Sequence, residues 1–458
     1  MVAAKSRDGI AGATSLACLS IVFLALLHPR IGIRDWDGWS YLIGALSLRK
    51  GNGYRDLRGD PLNRWPIGYS FILSLFGDPV RAAQVVNYLS FGAVIGLLYL
   101  LLRGRGWTWQ SALGLTVTLG AGFFRLLATM VHVDIFTYAV FFAALFAATR
   151  GTGRSAPGIA WASLFPFKFI AILFLPPAIV ADWVTERLRA GALVRRYLPA
   201  VLATAGAVGF ILVFDFLTEH ALIPAGHDAL TRENLARAGQ WFVVHSVRSF
   251  LFDWYGSVRT PVGVAAFAAC LILIALCLGT LRARPDGRWL RVYGASWLVF
   301  AGLLLLIRWY ETSPRLVGYG LIALILGFNP VRRANWLWLV LGTASLAAGV
   351  VNGVTVNSLG GNDARYARVA NELREYYHGT DTVATNSTVF IYADANVAEV
   401  DDPVRARAQD FRKFLWVTLP QYDGLQEMVI ASPRPGSGWC EEKQLTGAIF
   451  FTRCTDSF

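Results

Sequence analysis

An α-helical polytopic membrane protein with about eleven transmembrane helices, followed by a small C-terminal α/β domain, is the fold class this sequence predicts. Three observations carry the prediction. The 458-residue chain is 55% hydrophobic and only 16% charged, with a mean hydropathy of +0.47, beyond what a soluble core needs. Apolar runs of bilayer length recur, and Arg and Lys cluster in the gaps between them. After residue 354 the composition turns charged and then strand-like.

The positive charge itself points away from nucleic acid. The formal net charge is +12, but the arginines punctuate apolar runs instead of gathering on one segment, which is the pattern of cytoplasmic loops. Neither a dinucleotide-binding glycine motif, a Walker loop nor a zinc-knuckle spacing occurs. No repeat at solenoid period occurs either.

Lys5 and Arg7 precede an apolar run from Gly9 to Leu27, with no small-x-small cleavage site before Asp35. This reads as an uncleaved first span. With each basic cluster placed inside, the spans fall at 10–28, 82–102, 107–128, 133–149, 157–167, 169–185, 197–217, 261–281, 289–307, 315–330 and 335–354. The N-terminus is then inside and the C-terminus outside. The fifth and sixth spans are short and have basic clusters at both ends. They predict a broken, partly re-entrant hairpin with its tip at Phe165-Pro166-Phe167-Lys168.

The expected domains are a transmembrane module, 1–354, with outer loops at 29–80 and 218–260, and an extracytoplasmic α/β domain, 355–458. In the latter, residues 362–377 have helical spacing, and 381–393, 428–432 and 447–452 read as strands. Cys440 and Cys454 lie here and pair if this side is oxidising. Cys18, Cys270 and Cys277 lie in apolar runs.

This topology gathers chemistry-bearing residues on the outer side. Asp35 and Asp37 follow the first span, and Trp39, Tyr41, Leu42, Ala45 and Leu46 fall on one face of a surface helix. Capping that helix is an alternative role for Asp37. Arg64, Trp65 and Tyr69 sit around a Pro-Gly turn, suited to an anionic, ring-bearing ligand. His132 and Asp134 stand where the third span meets the fourth. Lys168 lies within an apolar hairpin, where it must snorkel or pair with an anion. Arg308, Tyr310, Glu311 and Arg315 cluster before the tenth span, and outer arginines run against the usual charge bias. A phosphate ligand would account for them.

In order and common sidedness, these motifs resemble the polytopic GT-C glycosyltransferases that use polyprenyl-phosphate sugars, such as the aminoarabinose and protein-mannosyl transferases. The resemblance rests on Asp37-Gly38-Trp39-Ser40-Tyr41, Pro66-Ile67-Gly68-Tyr69, Val133-Asp134-Ile135-Phe136, Phe165-Pro166-Phe167-Lys168 and Arg315-Leu316-Val317. Three features depart from that pattern: His132 stands where an acid is common, Trp65-Pro66-Ile67 stands where Lys-Pro-Pro is common, and Leu316 replaces a tyrosine after Arg315.

The resemblance implies a multi-pass enzyme of a bacterial cytoplasmic membrane, with its active site outside. Its donor is a polyprenyl-phosphate-linked sugar, and its acceptor an envelope glycan, lipid or protein. Asp37 and Asp134 are the expected catalytic acids, and Lys168, Arg315, Arg308 and Arg64 the groups on the donor phosphate. Asp35, Trp39, Tyr41, Trp65, Tyr69, His132, Tyr310 and Glu311 line the substrate. Two alternatives stand. One is a ligase-like enzyme on diphosphate-linked glycans, for which Arg232, Arg237, Arg248 and Arg259 provide outer-loop arginines; the other is a lipid-linked glycan transporter. No cofactor is assigned, and a divalent metal at Glu219, His220, His227 and Asp228 is left open, since their spacing fits no standard set.

Overall fold

The computed structural model of the chain describes residues 2–29, 36–55, 61–62, 66–149, 155–219, 261–306, 314–359, 361–379, 381–386, 397–399, 406, 410–418, 421–423, 426–428 and 434–454. The chain divides into two compact units, one of residues 1–30 and 84–354, the other of residues 31–83 and 355–458. Residues 31–83, between the first two spans, therefore group with the C-terminal segment instead of the bundle.

Each expected span coincides with helix. In the first unit these are α1 (Val2–Leu27), α4 (Pro79–Gly104, whose first turn belongs to the second unit), α5 (Trp109–Leu119), α6 (Arg125–Ala128), α7 (Asp134–Thr149), α8 (Ser155–Ala162), α9 (Leu175–Glu186), α10 (Ala190–Glu219), α11 (Pro261–Gly279), α12 (Arg288–Leu306), α13 (Pro314–Leu326) and α14 (Asn335–Leu359). Among the described residues, five helical stretches are long and apolar enough to cross a membrane. One of these five, Trp109–Ala128, and the predicted hairpin depart from regular helix. A π-turn over Gly120–Phe124 separates α5 from α6. The predicted hairpin is interrupted between α8 and α9 by turns and a 3-10 run, Phe169–Phe174, with Lys168 immediately before it. Pro166, Pro176 and Pro177 remove backbone donors here and prevent a continuous helix.

Helices approach closely where glycine faces backbone. A Cβ on Gly114 of α5 would lie against the Trp338 carbonyl of α14, and one on Gly342 would lie 2.8 Å from the Gly114 carbonyl. Small residues at such crossings allow the dispersion contacts that hold helices together in lipid. The interior is aromatic. Tyr138 of α7 stacks on Tyr319 of α13 with ring centroids 4.0 Å apart. Phe174 stacks on Trp297 of α12 at 4.9 Å, and Trp161 of α8 on Tyr293 at 5.7 Å. With Phe141 of α7 against Trp161 and Phe174, and Phe174 against Tyr319, this packing joins both arms of the hairpin to α7, α12 and α13.

In the second unit, α2 (Trp36–Arg49) and α3 (Ile67–Ser74) pack together. The Ser70 hydroxyl donates to the Tyr41 carbonyl at 2.9 Å. The C-terminal part has the expected helix, α15 (Gly361–Tyr376), and a five-stranded mixed sheet. Its strands are β3 (Val383–Thr385), β4 (Val397–Glu399), β5 (Lys413–Val417), β8 (Trp439–Leu445) and β9 (Ala448–Arg453), in the order β4-β3-β5-β9-β8. The first three are mutually parallel and the last two antiparallel additions. Ala384, Ala406, Phe414, Trp439 and Phe451 form its core. A disulfide joins Cys440 to Cys454. Of the other expected strands, most of 381–393 and 428–432 lies outside the described residues.

Candidate active site

The site is built where α7 begins. Residues 129–133 leave the helix for five residues, and α7 restarts at Asp134, whose carboxylate sits in the helix's first turn. Asp134 is 1% exposed. Its Oδ1 accepts from the Lys168 ammonium, 34 residues away at the tip of the broken hairpin. Its Oδ2 lies 3.1 Å from Nδ1 of His132. The same His132 nitrogen is 3.3 Å from the Asp134 backbone N. A protonated Nδ1 donates to the carboxylate; an unprotonated one accepts the backbone N–H. The lysine predicted to snorkel or to pair thus pairs, with an acid from a neighbouring span. Such a pair is tolerable in an apolar interior only when both charges are held against each other and further hydrogen bonds satisfy them.

A second buried polar group lies at the same end of the bundle, unanticipated from the sequence. Arg125 of α6 is 3% exposed. Its Nε donates to the Ala121 carbonyl at 2.6 Å, within the π-turn. Its Nη1 lies 3.1 Å from Nε2 of His28, one residue past α1. A guanidinium only donates, so His28 Nε2 accepts and its proton sits on Nδ1. The Tyr88 hydroxyl donates to the His28 carbonyl, and the Asn87 amide donates to the Met130 carbonyl in the linker before Asp134. The available signal was an arginine inside the otherwise apolar run 107–128, since an ionisable residue within a span marks function by default.

In the second unit, Tyr41 of α2 and Tyr69 of α3 meet edge to face, centroids 5.2 Å apart at 87°. Both are buried, and burial pushes the Tyr69 phenol above its ordinary range. Asp37 and Trp39 lie in the first turn of α2, and Arg315 in the first turn of α13. Asp35, Arg64, Trp65, Arg308, Tyr310 and Glu311 lie outside the described residues, as do Arg232, Arg237, Arg248 and Arg259. Of the four residues named for a metal, Glu219 ends α10 and His220, His227 and Asp228 lie outside the described residues. Among the described residues, no three His, Cys, Asp or Glu side chains gather as a metal set.

No protein-family model and no curated protein sequence matches the chain. Solved structures do, two of them crystal structures of one protein. The chain is similar to ArnT from Cupriavidus metallidurans in the apo state, with a TM-score of 0.56, 12% identity, and coverage of 95% of this chain and 96% of that one. It is equally similar to ArnT from the same organism bound to undecaprenyl phosphate, with a TM-score of 0.56, 13% identity, and coverage of 96% and 98%. At such identity the likeness is one of fold, and it extends over nearly the whole of both chains. Helical bundle, broken hairpin and C-terminal domain together therefore make the chain a protein of the ArnT fold, the GT-C membrane architecture its motifs resemble.

Proposed function

We propose that this protein is an inverting membrane glycosyltransferase that moves a sugar from a polyprenyl-phosphate donor to a cell-envelope glycan, lipid or protein. The observation that carries the reading is the buried Lys168–Asp134–His132 group, placed at the broken hairpin of a bundle with the fold of ArnT. That ArnT has been crystallised with undecaprenyl phosphate supports the donor class.

Asp37 is the general base. It takes the proton of an acceptor hydroxyl as the oxygen attacks the anomeric carbon from the face opposite the phosphate. The carbon–oxygen bond to the phosphate breaks, and its electron pair leaves with the lipid phosphate. One displacement inverts the anomeric centre. The leaving phosphate needs no proton if cations meet its charge, which is the role of Lys168, with Arg315, Arg308 and Arg64. Asp134 aims the Lys168 ammonium. Asp35, Trp39, Tyr41, Trp65, Tyr69, His132, Tyr310 and Glu311 surround donor and acceptor.

The active site and residues 355–458 face the periplasm or exterior. The Cys440–Cys454 disulfide supports this, since such bonds persist in oxidising compartments. The N-terminus is cytoplasmic by the arginine distribution.

Turnover of an undecaprenyl-phosphate-linked sugar by purified protein, followed as lipid phosphate release, tests the assignment. Asp37→Asn should lower kcat by roughly 10²–10⁴-fold, the usual contribution of a general base, with donor binding kept. If Asp37 only capped its helix, Asn would serve about as well, so near-normal turnover by a folded variant would remove Asp37 from the mechanism. Mass spectrometry of envelope glycans from a strain lacking the protein identifies the acceptor.

A further inference from the structure

The end of the bundle away from Asp134 has a different chemistry. Three connections meet there: the turn from α4 to α5, the segment from α11 to α12, and the segment from α13 to α14. The last two pair as a short antiparallel ribbon, β1 (Leu281–Ala283) with β2 (Phe328–Pro330). Hydrogen bonds lock the three together. Trp107 Nε1 donates to the Phe328 carbonyl at 2.8 Å. Arg284 Nη1 donates to the Arg105 carbonyl at 2.8 Å, and Arg291 Nη1 to the Arg284 and Gly327 carbonyls, each at 2.6 Å. Gly106, at φ +81°, is the tight point, where a Cβ would strike the Arg284 guanidinium.

On this rigid platform the charges are unbalanced. Asp286 is chelated by Arg284, through Nε at 2.9 Å and Nη2 at 3.1 Å. Arg103, Arg282, Arg288, Arg332 and Arg333 are exposed and make no ion pair among the described residues. Trp109, which opens α5, is 53% exposed, and Trp336, which opens α14, is 60% exposed. Large indoles left outside at the ends of apolar helices, beside guanidinium groups that have no carboxylate partner among the described residues, match the headgroup layer of a bilayer, where the ring is half-buried and the phosphates are negative.

We propose that this platform binds the headgroups of anionic glycerophospholipids: the exposed arginines hold the phosphodiester, and Trp109 and Trp336 lie beside the glycerol and upper acyl chains. The proposal needs the chain to span a bilayer but is independent of the reaction proposed above. Each guanidinium near an anionic surface is worth about fivefold in association, so removing two should lower the preference for an anionic lipid by roughly tenfold or more.

The test uses the full chain, purified in micelles with equal phosphatidylglycerol and phosphatidylcholine, and counts retained lipids by native mass spectrometry. Wild type should keep phosphatidylglycerol selectively. Arg332→Gln/Arg333→Gln should lose that preference while circular dichroism and glycosyl transfer in detergent stay unchanged. Arg282→Gln, on the ribbon itself, is the second variant and should show a smaller loss. Equal retention of the two lipids by wild type, or unaltered selectivity in both variants, overturns the proposal. So does full displacement of phosphatidylglycerol by millimolar soluble glycerol phosphate, which would identify a site for a free anion instead of a lipid.

Discussion

Replacing Lys168 by Met separates its structural from its functional contribution. The Asp134 side chain is 1% exposed and that of Lys168 11%, so the substitution removes the ammonium partner of a buried carboxylate whose other contacts include Nδ1 of His132 at 3.1 Å. Breaking one side of a buried ion pair typically costs about 3–5 kcal/mol. The remaining contacts of Asp134 offset part of this, so the loss should lie toward about 3 kcal/mol. The double variant Asp134→Asn/Lys168→Met leaves no charge of this pair buried and should recover most of that stability, because neutral replacements of a buried pair are often tolerated. Donor use should not recover. If Lys168 meets the donor phosphate, both variants need far more donor for half-maximal rate, with the acceptor requirement little changed. The assays are thermal unfolding by intrinsic fluorescence and a kcat and KM split on each substrate. Return of donor affinity together with stability in the double variant would refute the phosphate role and leave the pair as a brace.

Three further outcomes follow from other parts of the molecule. A phosphatase fused after Asn357 should be active and a fluorescent protein at the same place dark; the reverse pattern would mean a miscounted crossing and an active site on the wrong side. Cys440→Ala/Cys454→Ala should lower the stability of the C-terminal sheet by about 3 kcal/mol, the loop-closure value for a loop of this size; the two cysteines are 14 residues apart, and limited proteolysis of the full chain reads the change. Stability of the same region should also fall with acid. Glu372 is held below the usual carboxylate range by the Thr446 N–H, which it accepts at 2.7 Å, and Glu442 by the Lys413 ammonium at 2.8 Å. Both have lower values folded than unfolded, so their contribution is complete above the ordinary carboxylate range and is lost as pH drops below about 4.3. Proteolysis across pH should show this slope, reduced in Glu442→Gln; an unchanged slope would remove Glu442 from it.

What the sequence determined alone is what local physics dictates. The helices fall where the apolar runs fall, because a segment that cannot hydrogen-bond to lipid must satisfy its backbone internally. The hairpin breaks at Pro166–Lys168 because proline and a charged side chain oppose a continuous span there. The helix expected over residues 362–377 forms at Gly361–Tyr376 because charge and apolar spacing agree along it. Tertiary structure decided every relation between distant residues. Asp134 with Lys168, His28 with Arg125 across 97 residues, the β1–β2 ribbon between two loops, and the grouping of residues 31–83 with 355–458 all depend on how helices and loops are placed against one another. Hydropathy is blind to that placement. It registers that a charge lies in an apolar run, whereas the cost of burying that charge is met by whichever opposite or hydrogen-bonding group the packed bundle brings to it.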